Sequence, residues 1–135
     1  MTFQKIMTIL IVAIALSACK ENKTENYQEK LMTIEQTEKA QPTTFLKAEG
    51  TYNKSLFGGK LNFDGVIRNN ATVVTYKDVV VRLTYFSETK TEIGKIEHTV
   101  QDFFPPQSEK PFELKSENDK AIHSIGGEVI AATPQ

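Results

Sequence analysis

Apolar and polar residues alternate along much of residues 43–135, and this pattern restricts the fold more than any other feature of the chain. In "LNFDGVIRN" and "DVVVRLTYF" the residues at alternate positions are apolar: Leu61, Phe63, Ile67, Val79, Val81, Leu83 and Tyr85. A period of two indicates half-buried β-strands. Turn-forming residues such as Asn69-Asn70 and Pro105-Pro106 separate the runs. We expect strands near 44–53, 59–69, 73–87, 92–102, 109–115 and 121–132, and therefore an all-β, antiparallel β-sandwich.

The amino terminus carries a short apolar run from Ile6 to Leu16, which follows Lys5 and is interrupted only by Thr8. A helix that spans a bilayer takes about 20 apolar residues, so this run is too short to be one. A basic start followed by an apolar core of this length is typical of a secretory signal peptide. We therefore exclude the segment from the fold.

The residues after the apolar run resemble the lipoprotein box of bacteria: Leu16, Ser17, Ala18 and Cys19. The resemblance implies that residues 1–18 are a cleaved signal peptide and that Cys19 carries a diacylglycerol group. It therefore implies a lipoprotein held on a membrane through the lipid on Cys19, because several acyl chains anchor stably where one does not. Cys19 is also the only cysteine, so the mature chain would contain no disulfide.

Lys20 stands where an aspartate would retain a lipoprotein of enteric bacteria in the inner membrane. The resemblance thus implies a lipid-anchored protein of the bacterial outer membrane. "CKEN" is also similar to the run that marks surface-exported lipoproteins in some bacteria. Since a generic solvated linker is the alternative, the periplasmic and the surface face of the membrane both remain open.

Residues 19–42 combine the lipidated cysteine with a charged segment in which lysines and glutamates alternate. Such a composition supports no core of its own and predicts a solvated tether. The alternative is a short helix over 27–38, because Tyr27, Leu31 and Ile34 follow the i, i+4, i+7 spacing of one helical face. Pro42 ends the segment in either case, since the residue before a proline disfavours helix. The sandwich domain is then expected over 43–135.

A longer run, from Phe63 to Leu114, resembles the FxLYD-type, fibronectin-III-like domains of bacterial envelope proteins. Ten positions fit the pattern of that family: Gly65, Ile67, Asn69, Asp78, Val79, Val81, Tyr85, Pro106, Pro111 and Phe112. The resemblance implies an immunoglobulin-like β-sandwich in the cell envelope. Two departures are "YFSE" in place of Tyr-Asp and "PPQS" in place of a Pro-Gly turn. Water-stress and late-embryogenesis domains share the Gly-x-φ-x-Asn strand and are the alternative relatives.

The sequence contains no combination of residues that indicates catalysis or metal binding. HExxH, GxSxG, CxxC and a phosphate-binding loop are all absent. His98 and His123 are the only histidines, and both fall in predicted strands, where a lone histidine is usually a surface residue. With 16 basic and 17 acidic residues, the chain also has no basic excess for nucleic acid. We expect a protein without enzymatic activity, cofactor, metal or nucleic-acid partner.

"DFFPPQ" is the candidate contact surface, formed by Phe103, Phe104, Pro105 and Pro106. Neighbouring side chains of an extended strand point to opposite faces, so one ring can enter the core while the other cannot easily follow. An exposed aromatic ring beside a stiff Pro-Pro turn suits a protein contact. We favour the alternative, in which the strand twists and both rings cap the end of the sandwich.

The leading functional hypothesis is a non-enzymatic, lipid-anchored module of the cell envelope that binds an unidentified envelope protein or supports an envelope assembly. The alternative is a binder of small molecules or glycans that uses a sheet face, with Tyr52, Tyr76 or Phe86 as outward aromatic residues. An aromatic row on one face would distinguish the second hypothesis from the first.

Overall fold

The computed structural model describes residues 23–54, 59–118 and 120–135. The predicted signal peptide, the lipobox residues Leu16, Ser17 and Ala18, and Cys19 lie outside the described residues.

Six antiparallel strands form two three-stranded sheets that pack face to face, so the all-β sandwich is confirmed. The first sheet has the order β1-β2-β5 and the second has the order β4-β3-β6. The strands are β1 (Leu46–Lys54), β2 (Lys60–Asn69), β3 (Tyr76–Phe86), β4 (Glu92–Phe104), β5 (Glu109–Glu117) and β6 (Ser124–Pro134). Each of the six expected strands is present, with ends that differ by at most three residues.

The core lies between the two sheets and uses the alternation that the sequence shows. The largest fully buried apolar side chains of the strands come from both sheets: Leu61, Ile67, Tyr76, Val79, Val81, Leu83 and Phe104. Polar residues of the same strands face outward, as Arg82 does between Glu97 on β4 and Glu128 on β6. Burial of these side chains supplies the main stabilisation of a domain without disulfides.

Gly65 lies in β2 opposite Phe112 of β5, and the ring of Phe112 covers it. A Cβ atom at Gly65 would approach ring atoms of Phe112 at 2.5 and 2.6 Å, closer than real Cβ contacts come. The ring of Phe63 completes the cluster, with its centroid 5.8 Å from that of Phe112. Gly65 therefore permits close packing within the first sheet, where the aromatic ring of a neighbouring strand covers the glycine.

A break in the alternation occurs at Asp78, which has a φ of 50° and lies at a register shift in β3. Val79 and Tyr76 both face inward, although a strict period of two would place Tyr76 outward. The expectation that Tyr76 is an outward aromatic residue is therefore wrong. The irregularity at Asp78 reverses the phase of the strand, because one residue more or less moves every later side chain to the other face.

Residues that precede the sandwich form helix α1 (Lys23–Ala40) and the short helix α2 (Pro42–Phe45). The structure thus has a helix where the sequence allowed a tether or a helix, and the helix is longer than the expected 27–38. Helix-forming Glu, Lys and Gln residues fill α1, and Lys39 pairs with Glu35 one turn earlier at 2.6 Å. Helix α1 ends before Gln41, which precedes Pro42, as expected from the proline.

Strand β6 has few charged residues, and the segment that leads into β1 lies beside it. Strands β5 and β6 are both edge strands. Strand β5 carries Lys110, Pro111 and Lys115, residue types that discourage an edge from pairing with another chain, whereas Glu128 is the one charged residue of β6. Helix α2 and β1 both contact β6. Neighbouring elements beside an edge strand are one of the ways proteins protect it from pairing with another chain.

Candidate contact surface and the α1 junction

The two phenylalanines at the end of β4 point in opposite directions. Phe104 is fully buried in the core, whereas Phe103 is 54% exposed. The favoured expectation that both rings cap the sandwich is therefore wrong. Strand β4 stays extended up to its last residue, with Phe103 opposite Lys77 and Phe104 opposite the buried Tyr76, so the two rings lie on opposite faces.

A charged pair and a short turn lie next to Phe103 along the chain. The Asp102 carboxylate accepts hydrogen bonds from Lys110 Nζ at 2.9 Å and from the Phe103 N–H at 2.7 Å. The hydrogen bond from Lys110, followed by that from Phe103, holds the pKa of Asp102 below its ordinary value. Pro105 is exposed and Pro106 is half-buried. The Ser108 hydroxyl donates to the Pro105 carbonyl at 2.6 Å, which closes the turn that follows β4.

Helix α1 meets the sandwich through Glu38, which is only 1% exposed. Its Oε1 atom accepts hydrogen bonds from the Thr72 N–H and hydroxyl, both at 2.7 Å. Its Oε2 atom accepts from the N–H groups of Val73 and Val74, both at 2.9 Å. A single carboxylate of α1 thus accepts four hydrogen bonds from the loop between β2 and β3.

These contacts keep the Glu38 carboxylate ionised despite its burial. Burial alone would raise the pKa of Glu38, but the hydrogen bonds from Thr72, Val73 and Val74 together outweigh it and lower the pKa. The Tyr76 hydroxyl donates to the Glu38 main-chain carbonyl at 2.7 Å. Burial, with a smaller contribution from the Glu38 charge, raises the pKa of Tyr76 to about 12.

Two further side chains hold the same loop from the sandwich. Asn69 is fully buried; its Nδ2 donates to the carbonyls of Val74, Phe104 and Pro105, while its Oδ1 accepts from the Ala71 N–H at 2.8 Å. Asn69 thus joins β2, the loop and the end of β4.

The other side chain is Gln107, whose Nε2 donates to the carbonyls of Asn70 and Ala71, both at 2.9 Å. Gln107 also has a φ of 57°, the left-handed conformation that favours glycine. It occupies the "PPQS" turn, where the similar family has Pro-Gly.

The histidines are not part of a larger chemical site in the described residues. His98 is exposed on the edge strand β4, although it lies opposite the buried Val81. His123 precedes β6 and does not lie in a strand, which corrects the expectation for it; its carbonyl accepts a hydrogen bond from the Tyr52 hydroxyl at 2.8 Å. No group of three or more His, Cys, Asp or Glu in the described ranges could hold a metal ion.

The aromatic residues suggested for a ligand-binding face do not form a row. Tyr52 is in β1 and packs against the core, Tyr76 is buried, and Phe86 is half-buried in β3 of the other sheet. Two open clefts, of about 430 and 250 Å³, lie beside β1. Neither cleft is lined by a described aromatic side chain, so no observation favours the glycan-binding alternative.

Sequence reasoning placed Glu38 in a charged tether and missed its role. One signal was present: Glu38 follows Tyr27, Leu31 and Ile34 at helical spacing, so it continues the face that those residues define. The sequence does not contain a recognisable partner for this carboxylate, because its partners are main-chain N–H groups.

Comparison of the chain with protein-family models, with curated proteins and with solved structures finds no significant match. The similarity to FxLYD-type domains therefore stays a prediction. Neither α1 nor α2, the helices of the described residues, is long and apolar enough to cross a membrane.

Proposed function

We propose that the chain is a non-enzymatic, lipid-anchored protein of the bacterial cell envelope that binds another envelope protein through the surface around Phe103. The observation that carries the proposal is the exposure of Phe103, whose ring lies outside the core although the adjacent Phe104 is fully buried. Exposed aromatic residues are enriched in protein interfaces, where they bury a large area at a small entropic cost.

The surroundings of Phe103 support this use of the ring. The ion pair between Asp102 and Lys110 lies on the opposite face of β4, where Lys110 Nζ is 5.8 Å from the centroid of the Phe104 ring, and it ties the end of β4 to β5. The turn that contains Pro105 and Pro106 is closed by hydrogen bonds from Ser108, so little order has to be gained on binding.

Phe103→Ala tests the contact and Ile93→Ala is its matched control. Ile93 is a second exposed apolar residue of β4, at 42% exposure. We expect Phe103→Ala to abolish crosslinking to an envelope partner in intact cells and to leave the melting temperature unchanged, whereas Ile93→Ala changes neither. A large fall in the melting temperature of Phe103→Ala, or crosslinking equal to the wild type, would contradict the proposal.

The lipid anchor is tested separately with Cys19→Ser. We expect the wild type to carry acyl mass and to sediment with the outer membrane, and the variant to lose both properties. An unlipidated wild-type protein that is cut near Ala18 would remove the anchor from the proposal and would favour a secreted binding protein.

A further inference from the structure

The loop between β2 and β3 presents a compact set of hydrogen-bond donors. Three successive N–H groups, of Thr72, Val73 and Val74, and the Thr72 hydroxyl converge on the two oxygens of one carboxylate at 2.7–2.9 Å. Successive main-chain N–H groups that point into one concave site are a common way of binding an anion. We call these four donors the carboxylate receptor.

The receptor is held in shape by side chains of the sandwich. Asn69 fixes Ala71 and Val74, which flank the receptor residues Thr72 and Val73. Gln107 fixes the carbonyls of Asn70 and Ala71 from the opposite turn. None of these hydrogen bonds involves α1, so we expect the donors to keep their positions when Glu38 is removed.

The group that fills the receptor comes from a different element. Glu38 belongs to the last turn of α1, and Gln41 alone separates this helix from α2. No lysine, arginine or histidine of the described residues forms an ion pair with Glu38, so within this part of the chain the receptor donors are what its carboxylate contacts. Hydrogen bonds of this charge-assisted kind are about twice as strong as neutral ones.

We propose that Thr72, Val73 and Val74 form a preformed binding site for a carboxylate group, which Glu38 occupies within the chain. Helix α1 is then a detachable element that its glutamate holds on the sandwich. An aspartate or glutamate of another protein can take the place of Glu38 once α1 is released. This inference is independent of the lipid anchor and of the surface around Phe103.

The test uses the full chain with Glu38→Ala, and Glu35→Ala as the matched control. Glu35 lies one turn away on α1 and pairs with the half-exposed Lys39. Amide proton shifts of Thr72, Val73 and Val74 are followed by NMR while sodium acetate is added, with sodium chloride at equal concentration as the ionic control. Backbone relaxation of α1 is measured on the same samples.

We expect Glu38→Ala to keep a dispersed spectrum of the sandwich, to lose the downfield position of the three amide protons and to regain it with acetate. Residues of α1 should become mobile in this variant, whereas Glu35→Ala should match the wild type in every measurement. Glu38→Gln, which keeps the size of the side chain, should show the same loss of the downfield shifts.

Four outcomes would overturn the proposal. A sandwich or loop that loses order in both Glu38 variants would mean that the receptor is not preformed. An ordered loop without a response to acetate, or with an equal response to chloride, would mean that it is not a carboxylate site. An α1 as rigid as in the wild type would mean that Glu38 does not hold the helix.

Discussion

The two ends of the sandwich are stabilised in different ways. At the end next to α1, which we call the junction end, the buried side chains of Glu38 and Asn69 and the exposed side chain of Gln107 bind main-chain groups of the loop between β2 and β3. At the opposite, distal end, the corresponding hydrogen bonds are exposed or only partly buried, as between the Tyr52 hydroxyl and the His123 carbonyl.

Water can replace a hydrogen bond at the distal end but has little access to the buried hydrogen bonds that Glu38 and Asn69 make at the junction end. Loss of a partner therefore costs more at the junction end, where the remaining group stays buried and unpaired. The candidate contact residue Phe103 and the carboxylate receptor both lie at this end, so buried hydrogen bonds of Asn69 and Glu38 support both. The following predictions test whether the two ends differ as described.

The largest effect is expected from Asn69→Ala. The substitution leaves the carbonyls of Val74 and Phe104 and the N–H of Ala71 without their partner in a buried site. We expect the free energy of unfolding to fall by about 3 kcal/mol, as measured by urea denaturation. Asn69→Asp should be at least as unstable, because it adds a charge and removes the donors. A loss below about 1 kcal/mol would show that water reaches these groups.

Glu38→Gln should lower the free energy of unfolding at neutral pH by about 2 kcal/mol, since it removes charge-assisted hydrogen bonds. The pKa of Glu38 is lower in the folded chain, so its stabilisation is present above the ordinary glutamate pKa of about 4.3 and is lost as the pH falls through the folded value. The stability difference between wild type and Glu38→Gln should therefore shrink below that pH. A difference that stays constant down to the acid transition would contradict this assignment.

Gln107 allows the strain of its backbone to be separated from its hydrogen bonds. Gln107→Ala keeps the φ of 57° and loses both hydrogen bonds. We therefore expect the free energy of unfolding, measured by thermal denaturation, to fall by about 1.5 kcal/mol. Gln107→Gly loses the same bonds but relieves the left-handed conformation, which costs a non-glycine residue about 1 kcal/mol. The glycine variant should thus be the more stable of the two, and the reverse order would mean that the turn is not strained.

The smallest effects are expected from removing one tyrosine hydroxyl at the junction end and one at the distal end. Tyr76→Phe removes a buried hydroxyl that donates to the Glu38 carbonyl, and Tyr52→Phe removes an exposed one that donates to the His123 carbonyl. We expect losses of about 1.5 and 0.5 kcal/mol respectively in the free energy of unfolding. Equal losses would show that burial does not distinguish the two ends.

The strands could be predicted because their information is local. Alternation in β2 and β3 specifies which side chains face the core, and the turn residues between the runs give the approximate ends. Pro42 likewise marked the end of the segment before the sandwich. Each of these features depends on residues that are neighbours in the chain.

Features that depend on pairing between distant segments could not be predicted in this way. The phase of β3 at Tyr76 depends on an irregularity at Asp78, which only the register with β4 and β6 reveals. The left-handed Gln107 is compensated by carbonyls of Asn70 and Ala71, which lie more than thirty residues earlier. The different positions of Phe103 and Phe104 depend on how far β4 continues as an extended strand.

The amino-acid sequence by itself thus predicted the sandwich class and its strands, because the alternation of apolar and polar residues can be recognised within a few neighbouring residues. The tertiary structure decided the role of Glu38, which changes from a solvated charge to a buried carboxylate with four hydrogen bonds. The physical reason is that its partners are main-chain N–H groups of a loop more than thirty residues away. Such groups are present in nearly every residue, and only folding brings this particular set together.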